Sequence, residues 1–283
     1  MKKLLTLLFS ITLLLFTGCT TKTTDIKPLP IVDPNAEIPT FFRGSYISVE
    51  ESKAKLKMAG FEVLDTFDAV DDGKTIVFTS AELKAEAKKP NRAYAAVMKL
   101  FVDHREKLIV VTNPVYYGKA YMQDEYNHNI FLGVQAKIKS AFPNLKPSED
   151  RLDFDDLGDF RFMIDKPRYK DTVVLAKGYN VELLEKARTY KDGRALAYEL
   201  KLSEETTLLG FALKNKTTVI IETLGRENAA LMPYPVVISN GEASMLKAQY
   251  YVPLNYPLLS MIEFGQFESA PNEIIQELKR VYK

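Results

Sequence analysis

The alternation of apolar and polar positions changes period several times after residue 45, and each period predicts an element. Ser48 and Glu51 have the spacing of a capping box, Leu56 falls on the apolar side of the helix that follows, and Gly60 ends it. Gly60-Phe61-Glu62-Val63 and the β-branched run Thr75-Ile76-Val77-Phe78-Thr79 read as strands. Residues 97–102 and 107–112 are two further strand-like runs around the polar turn Asp103-His104-Arg105-Glu106. Asn113-Pro114 marks the end of the second run, and Phe131, Val134, Ile138 and Phe142 then recur at helical spacing.

The same order returns in the second half. Asn180 is placed to cap a helix over 181–190 with Val181 and Leu184 inward, and Thr218-Val219-Ile220-Ile221-Glu222 matches the earlier β-branched strand. Residues 235–239 and 243–252 flank Asn240-Gly241-Glu242, where Asn-Gly is a strong hairpin signal. Ile274, Ile275, Leu278, Val281 and Tyr282 give a final amphipathic helix. One constant shift aligns Pro114 with Pro253, Val115 with Leu254, Tyr117 with Tyr256 and Met122 with Met261. The expectation is an α+β fold of two tandem repeats, each a mostly antiparallel sheet with helices packed on one face. The boundaries are 41–143 and 172–283, joined by an acidic, solvated connector over 144–171. Residues 203–215 read equally as a helix or a strand pair.

Gly60-Phe61-Glu62-Val63, Thr75 to Thr79, Asn113-Pro114 and the helix from Phe131 to Phe142 resemble the domain-of-unknown-function family 302, small α+β modules of bacteria and archaea. The likeness covers most of residues 45–283, and the second copy lacks the Gly-Phe. It implies a fold and no activity, because fold does not fix function.

The amino terminus adds a location. Lys2 and Lys3 precede a 13-residue apolar run, Leu4 to Phe16, with Thr17-Gly18-Cys19 behind it. A spanning helix needs roughly 17–25 residues, so residues 1–18 read as a cleaved signal. Leu15-Phe16-Thr17-Gly18-Cys19 resembles the lipobox of bacterial lipoproteins, with Phe16 in place of the usual leucine. That resemblance implies acylation of Cys19 and partnership with a membrane through the lipid. Thr20, rather than Asp, behind the cysteine implies sorting to the outer membrane, facing the periplasm. Cys19 is the only cysteine, so lipidation also accounts for a thiol with no disulfide partner. Residues 19–40 carry Pro28, Pro30, Pro34 and Pro39 among polar residues and read as a stiffened tether.

Composition narrows the chemistry. Cleavage removes Lys2 and Lys3 and takes the formal charge from +1 to −1, which with no Lys/Arg cluster argues against nucleic acid. Two histidines, and a cysteine committed to lipid, do not build the usual zinc sets. The run from Asp150 to Asp159 fails as a calcium loop, because Leu157 and Ile164 fall where ligands are required. No phosphate-cradling glycine motif is present, so no cofactor is expected. His104 falls in a turn; His128, beside Tyr126, is the better candidate for chemistry.

What remains is aromatic. Tyr116, Tyr117, Tyr121 and Tyr126 follow one proline, and Tyr250, Tyr251 and Tyr256 flank the other. Tyrosines at strand ends either line a pocket or pack beneath helices. Tyr116, Tyr117, Tyr121, His128, Tyr251 and Tyr256 are therefore the candidate binding residues. The expected role is a non-enzymatic envelope module presenting a surface or inter-repeat groove to a protein or small ligand. The alternatives are a periplasmic enzyme using Tyr, Asp or Glu chemistry near His128, and a purely structural envelope component.

Overall fold

The structure is a computed structural model that describes residues 33–283, except the side chains of residues 214–218. The signal, Cys19 and most of the tether lie outside the described residues. The first half runs β1 (Glu37–Pro39), β2 (Phe41–Ser45), α1 (Val49–Met58), β3 (Glu62–Val70), β4 (Gly73–Thr79) and α2 (Ala81–Ala87). A 3-10 turn (Ala93–Ala96) leads to β5 (Met98–Asp103), β6 (Leu108–Thr112), α3 (Pro114–Met122) and α4 (His128–Ala141). The connector holds β7 (Lys146–Pro147) and β8 (Arg151–Asp153). The second half runs β9 (Thr172–Lys177), α5 (Asn180–Thr189), β10 (Leu196–Lys201), β11 (Thr206–Phe211) and α6 (Lys214–Leu224). A second 3-10 turn (Arg226–Leu231) precedes β12 (Tyr234–Ser239), β13 (Glu242–Leu246), α7 (Ala248–Asn255), α8 (Met261–Gln266) and α9 (Ala270–Val281).

The two sheets share one strand order. The first is β3-β4-β5-β6-β2-β7 and the second β10-β11-β12-β13-β9, antiparallel throughout. β3, β4, β5, β6 and β2 thus correspond to β10, β11, β12, β13 and β9, and α1 and the first 3-10 turn to α5 and the second, while β7 has no counterpart. α1 lies over β3 and β4, while α5 lies over β12 and β13. The two 3-10 turns named above each pack on the opposite half: Ala93–Ala96 on β11 and β12, Arg226–Leu231 on β5 and β6. Burial on both faces explains why all six residues of β5 are buried, including Lys99 and Asp103. Because side chains alternate, Lys99, Phe101 and Asp103 share the face turned to the second half.

Several local expectations change. Thr218 to Glu222 lies in α6, not in a strand, and Ile220 and Ile221 are buried there. Their contact with the core outweighs the β-preference of branched residues. The matching strand is β11, so residues 203–215 form a turn, one strand and the start of α6. The run over 243–252 splits into β13 and α7. In α5 Val181 is exposed and Leu183 and Ala187 are buried, because the helix starts at Asn180 rather than after it. The Asn180 side chain ties down the hairpin instead, accepting from Gly241 N at 2.9 Å and donating to Glu205 O at 3.0 Å. The connector is more than a solvated linker: β8 pairs with β1, and Phe154, Leu157, Phe160 and Tyr169 are buried. Glu37 to Pro39, at the end of the expected tether, belongs to the fold for the same reason.

The register of the repeat also differs. Thr112 and Leu246 are the last residues of equivalent strands, and Asn113 and Lys247 are the N-caps that follow. Tyr116 and Tyr117 therefore correspond to Tyr250 and Tyr251, not to Tyr256, and Pro253 lies inside α7 rather than at its start.

One packing prediction arises here. Gly118 on α3 faces the Phe131 ring of α4, and a Cβ there would overlap the ring. Gly118→Ala is expected to cost about 1–3 kcal/mol in urea unfolding. Gly133→Ala, on an exposed part of α4 with no atom within 4 Å of the new carbon, is expected to stabilise by about 0.5–1 kcal/mol. A neutral Gly118→Ala would contradict the α3–α4 contact.

Candidate functional site

The sequence-nominated tyrosines join the two halves. Asn113 caps α3 by accepting from Val115 N at 3.1 Å, and Pro114 occupies the first turn, where no N–H is needed. From this helix the Tyr116 hydroxyl donates to Leu254 O at 2.6 Å and the Tyr117 hydroxyl to Asn255 Oδ1 at 2.7 Å. In the second half the Tyr251 hydroxyl donates to Leu231 O at 2.7 Å, and the Tyr256 hydroxyl donates to Asn228 O. Burial pushes all of these hydroxyls, with that of Tyr121, well above the ordinary phenol range. They are neutral phenols at ordinary pH, suited to hydrogen bonding and not to proton abstraction.

Beside them sits Lys99, buried and without a carboxylate partner among the described residues. Its ammonium nitrogen donates to Leu231 O at 2.7 Å, Pro233 O at 2.9 Å and the Tyr251 hydroxyl at 2.8 Å. Burial lowers its pKa to about 7. A desolvated lysine near neutrality can act as a nucleophile where a substrate can reach it. Here Tyr117, Tyr121, Tyr251, Tyr198, Asn255 and Lys99 surround a cavity of about 30 Å³. That is the room of a single water molecule, not of a small-molecule ligand. Tyr116 and Tyr256 stand outside its lining. His128, in the first turn of α4, has Nδ1 3.1 Å from the Tyr126 hydroxyl and its ring edge-on to Phe154; burial lowers its pKa.

A second recess lies where the first half and the connector meet the hairpin end of the second sheet. This cleft, of about 610 Å³, is bounded by residues 88–94, by Tyr169 and Lys170, and by Thr172, Glu205, Thr206, Val237, Ser239, Asn240, Glu242 and Ser244. Its volume lies within the range of small-molecule sites. Four cations line it: Lys88, Lys89, Arg92 and Lys170. Lys89 is paired with Glu86 at 2.9 Å, and Arg92 Nη2 with the exposed Asp124 at 2.5 Å. Lys88 and Lys170 have no ion-pair partner among the described residues. Two carboxylates also line it: Glu242, paired with Lys177 at 3.3 Å, and the exposed Glu205. The Arg92 guanidinium also lies 5.8 Å above the Tyr169 ring, whose hydroxyl donates to Asn91 O at 2.5 Å.

A third recess of about 670 Å³ runs between Leu152, Asp155, Asp156, Asp159 and the segment around Leu259 and Met261. Its charges, Asp155, Asp156, Asp159 and Arg161, all come from the connector. The first cleft instead gathers polar groups from both halves and the connector.

None of the six nominated residues lines that cleft. A search for catalytic residue types passes over Arg92, an arginine in an unremarkable polar stretch. The signal lay in the repeat itself: Arg92-x-x-Ala95-Ala96-Val97-Met98 returns as Arg226-x-x-Ala229-Ala230-Leu231-Met232. Among the described residues, no group of three His, Cys, Asp or Glu is arranged to hold a metal ion, and no helix is long and apolar enough to cross a membrane. No family model matches the chain, and neither a curated protein nor a solved structure matches it.

Proposed function

We propose that this chain is a lipid-anchored protein of the bacterial cell envelope whose folded part is a non-enzymatic binding module, with the inter-half cleft as its ligand site. The anchoring rests on the signal-like amino terminus and the Thr17-Gly18-Cys19 pattern. The binding role is carried by one observation: a cleft of about 610 Å³ into which both halves and the connector direct polar and charged side chains. The proline-bearing tether from Thr20 onward supports presentation away from the lipid surface.

The test is a thermal-denaturation screen of the full chain against neutral, cationic and anionic small molecules. It is run beside Ser244→Phe, which fills the floor of the cleft. Binding there predicts at least one compound that raises the midpoint of the natural chain and leaves Ser244→Phe unmoved. If every active compound shifts both proteins alike, the cleft is not the ligand site.

A further inference from the structure

Each half places an arginine near the hairpin end of the other half's sheet, and only one of the two meets a carboxylate of that sheet. Arg226 opens the second 3-10 turn and reaches Asp103, the last residue of β5. Its Nε lies 3.2 Å from Asp103 Oδ2 and its Nη2 3.0 Å from Asp103 Oδ1, a two-point fork, with a further bond from Nη2 to Asp71 O at 2.7 Å. Arg92 holds the equivalent place, immediately before the first 3-10 turn. The counterpart of Asp103 is Ser239: each ends its strand and makes the last pair before the hairpin, Asp103 with Leu108 and Ser239 with Glu242. Ser239 and Arg92 line the same cleft.

The first site is closed by an ion pair with the sheet it packs on, and the second lacks such a pair. The Arg92 Nε, the atom that in Arg226 holds a carboxylate oxygen, is buried and has no hydrogen-bond partner. Its Nη2 is spent on Asp124, a carboxylate that is 83% exposed. Such a solvent-facing pair is worth little and is readily exchanged. Lys88 and Lys170 stand at the same cleft without ion-pair partners among the described residues.

We infer that the cleft takes a small organic anion whose carboxylate occupies, against Arg92, the position that Asp103 occupies against Arg226. This rests on the cleft being the ligand site and names the chemical class that it admits. The internal repeat supplies the geometry, a forked arginine–carboxylate pair at a strand end. Ser239, one bond shorter in reach than an aspartate and uncharged, leaves that position for a ligand. Lys88 and Lys170 favour a second negative group, so a dicarboxylate fits better than a monocarboxylate.

The test uses the full chain, succinate as probe, and four proteins: natural, Arg92→Gln, Ser239→Asp and Ser239→Asn. Succinate is expected to raise the unfolding midpoint of the natural chain and of Ser239→Asn. Arg92→Gln is expected to weaken succinate at least about tenfold, the worth of one charge-assisted hydrogen bond. Ser239→Asp is expected to unfold at a higher temperature than Ser239→Asn without any ligand, and to give no response to succinate, because it carries its own carboxylate. A succinate response that survives in Ser239→Asp, or an equal one in Arg92→Gln, overturns the inference. So does an inert succinate. A neutral compound that shifts the natural chain but not Ser244→Phe, with succinate inert, would leave the cleft as a binding site and remove only its anionic character. The Ser239→Asn protein guards against mistaking a packing effect for a charge effect.

Discussion

Arg226→Ala is expected to lower the unfolding free energy by about 3 kcal/mol, seen as a lower urea midpoint with an unchanged slope. Asp103 is fully buried, and its four hydrogen bonds come from Arg226 Nε and Nη2 and from the backbone N–H groups of Arg105 and Glu106, at 2.9 and 3.2 Å. Deleting the guanidinium leaves a buried charge with two backbone donors, which is the costly way to break such a pair. Arg226 is 21% exposed, so water partly replaces it and the cost falls toward the lower end of the usual range. In a domain of this size that corresponds to a fall in midpoint of about 6–12 °C. Asp103→Asn should cost less, since the amide oxygen keeps the bonds to the turn and the unpaired Arg226 guanidinium, 21% exposed, can reach water. In the double variant the two losses should not add. A loss below about 1 kcal/mol for Arg226→Ala would mean that the pair contributes no more than a surface ion pair.

The architecture was legible because its signals are local. The Asn240-Gly241 hairpin takes positive φ at both turn residues, 50° and 79°, as its sequence requires. The amphipathic helices α4 and α9 bury Phe131, Val134 and Ile138, and Ile274, Leu278 and Val281, the residues their spacing marks. The errors arose where long-range contact overrides local preference. Ile220 and Ile221 have the composition of a strand and the packing of a helix. Pro114 and Pro253 match in sequence context, yet these prolines do different work, one opening α3 and the other lying inside α7. A better anchor was the plain Arg-x-x-Ala-Ala motif, whose meaning depends on what each arginine meets across the inter-half boundary. Arg226 meets Asp103 and Arg92 faces a cleft shared with Ser239, a difference between residues far apart in the chain. No local pattern carries that information. The tyrosines show the converse: clustering and polarity marked them, but only burial distinguishes a pocket wall from a hydrogen-bonded core.

Lys99 makes the second large effect a function of pH. Its unfolded pKa is the ordinary one, 10.5, and its folded pKa is lowered to about 7 by burial. Between those values the unfolded chain holds a proton that the folded chain has released, so stability rises as pH rises from about 7 toward 10.5. Below pH 7 both states are protonated and the full cost of the buried ammonium is present. Lys99→Met, similar in length and uncharged, should lose this dependence. At pH 6 the variant forfeits three hydrogen bonds but also the buried charge, and the Tyr251 hydroxyl still satisfies Leu231 O. Pro233 O alone is left without its donor. The two proteins should therefore lie within about 2 kcal/mol of each other at pH 6. By pH 9 the natural chain should have gained about 1–3 kcal/mol relative to the variant, at up to about 1.4 kcal/mol for each pH unit. Urea midpoints of both proteins at pH 6, 7, 8 and 9 measure this directly, and every other titrating group cancels in the difference. Parallel curves would mean that the three oxygens at 2.7, 2.9 and 2.8 Å hold the ammonium fully charged, replacing water well enough to offset its burial.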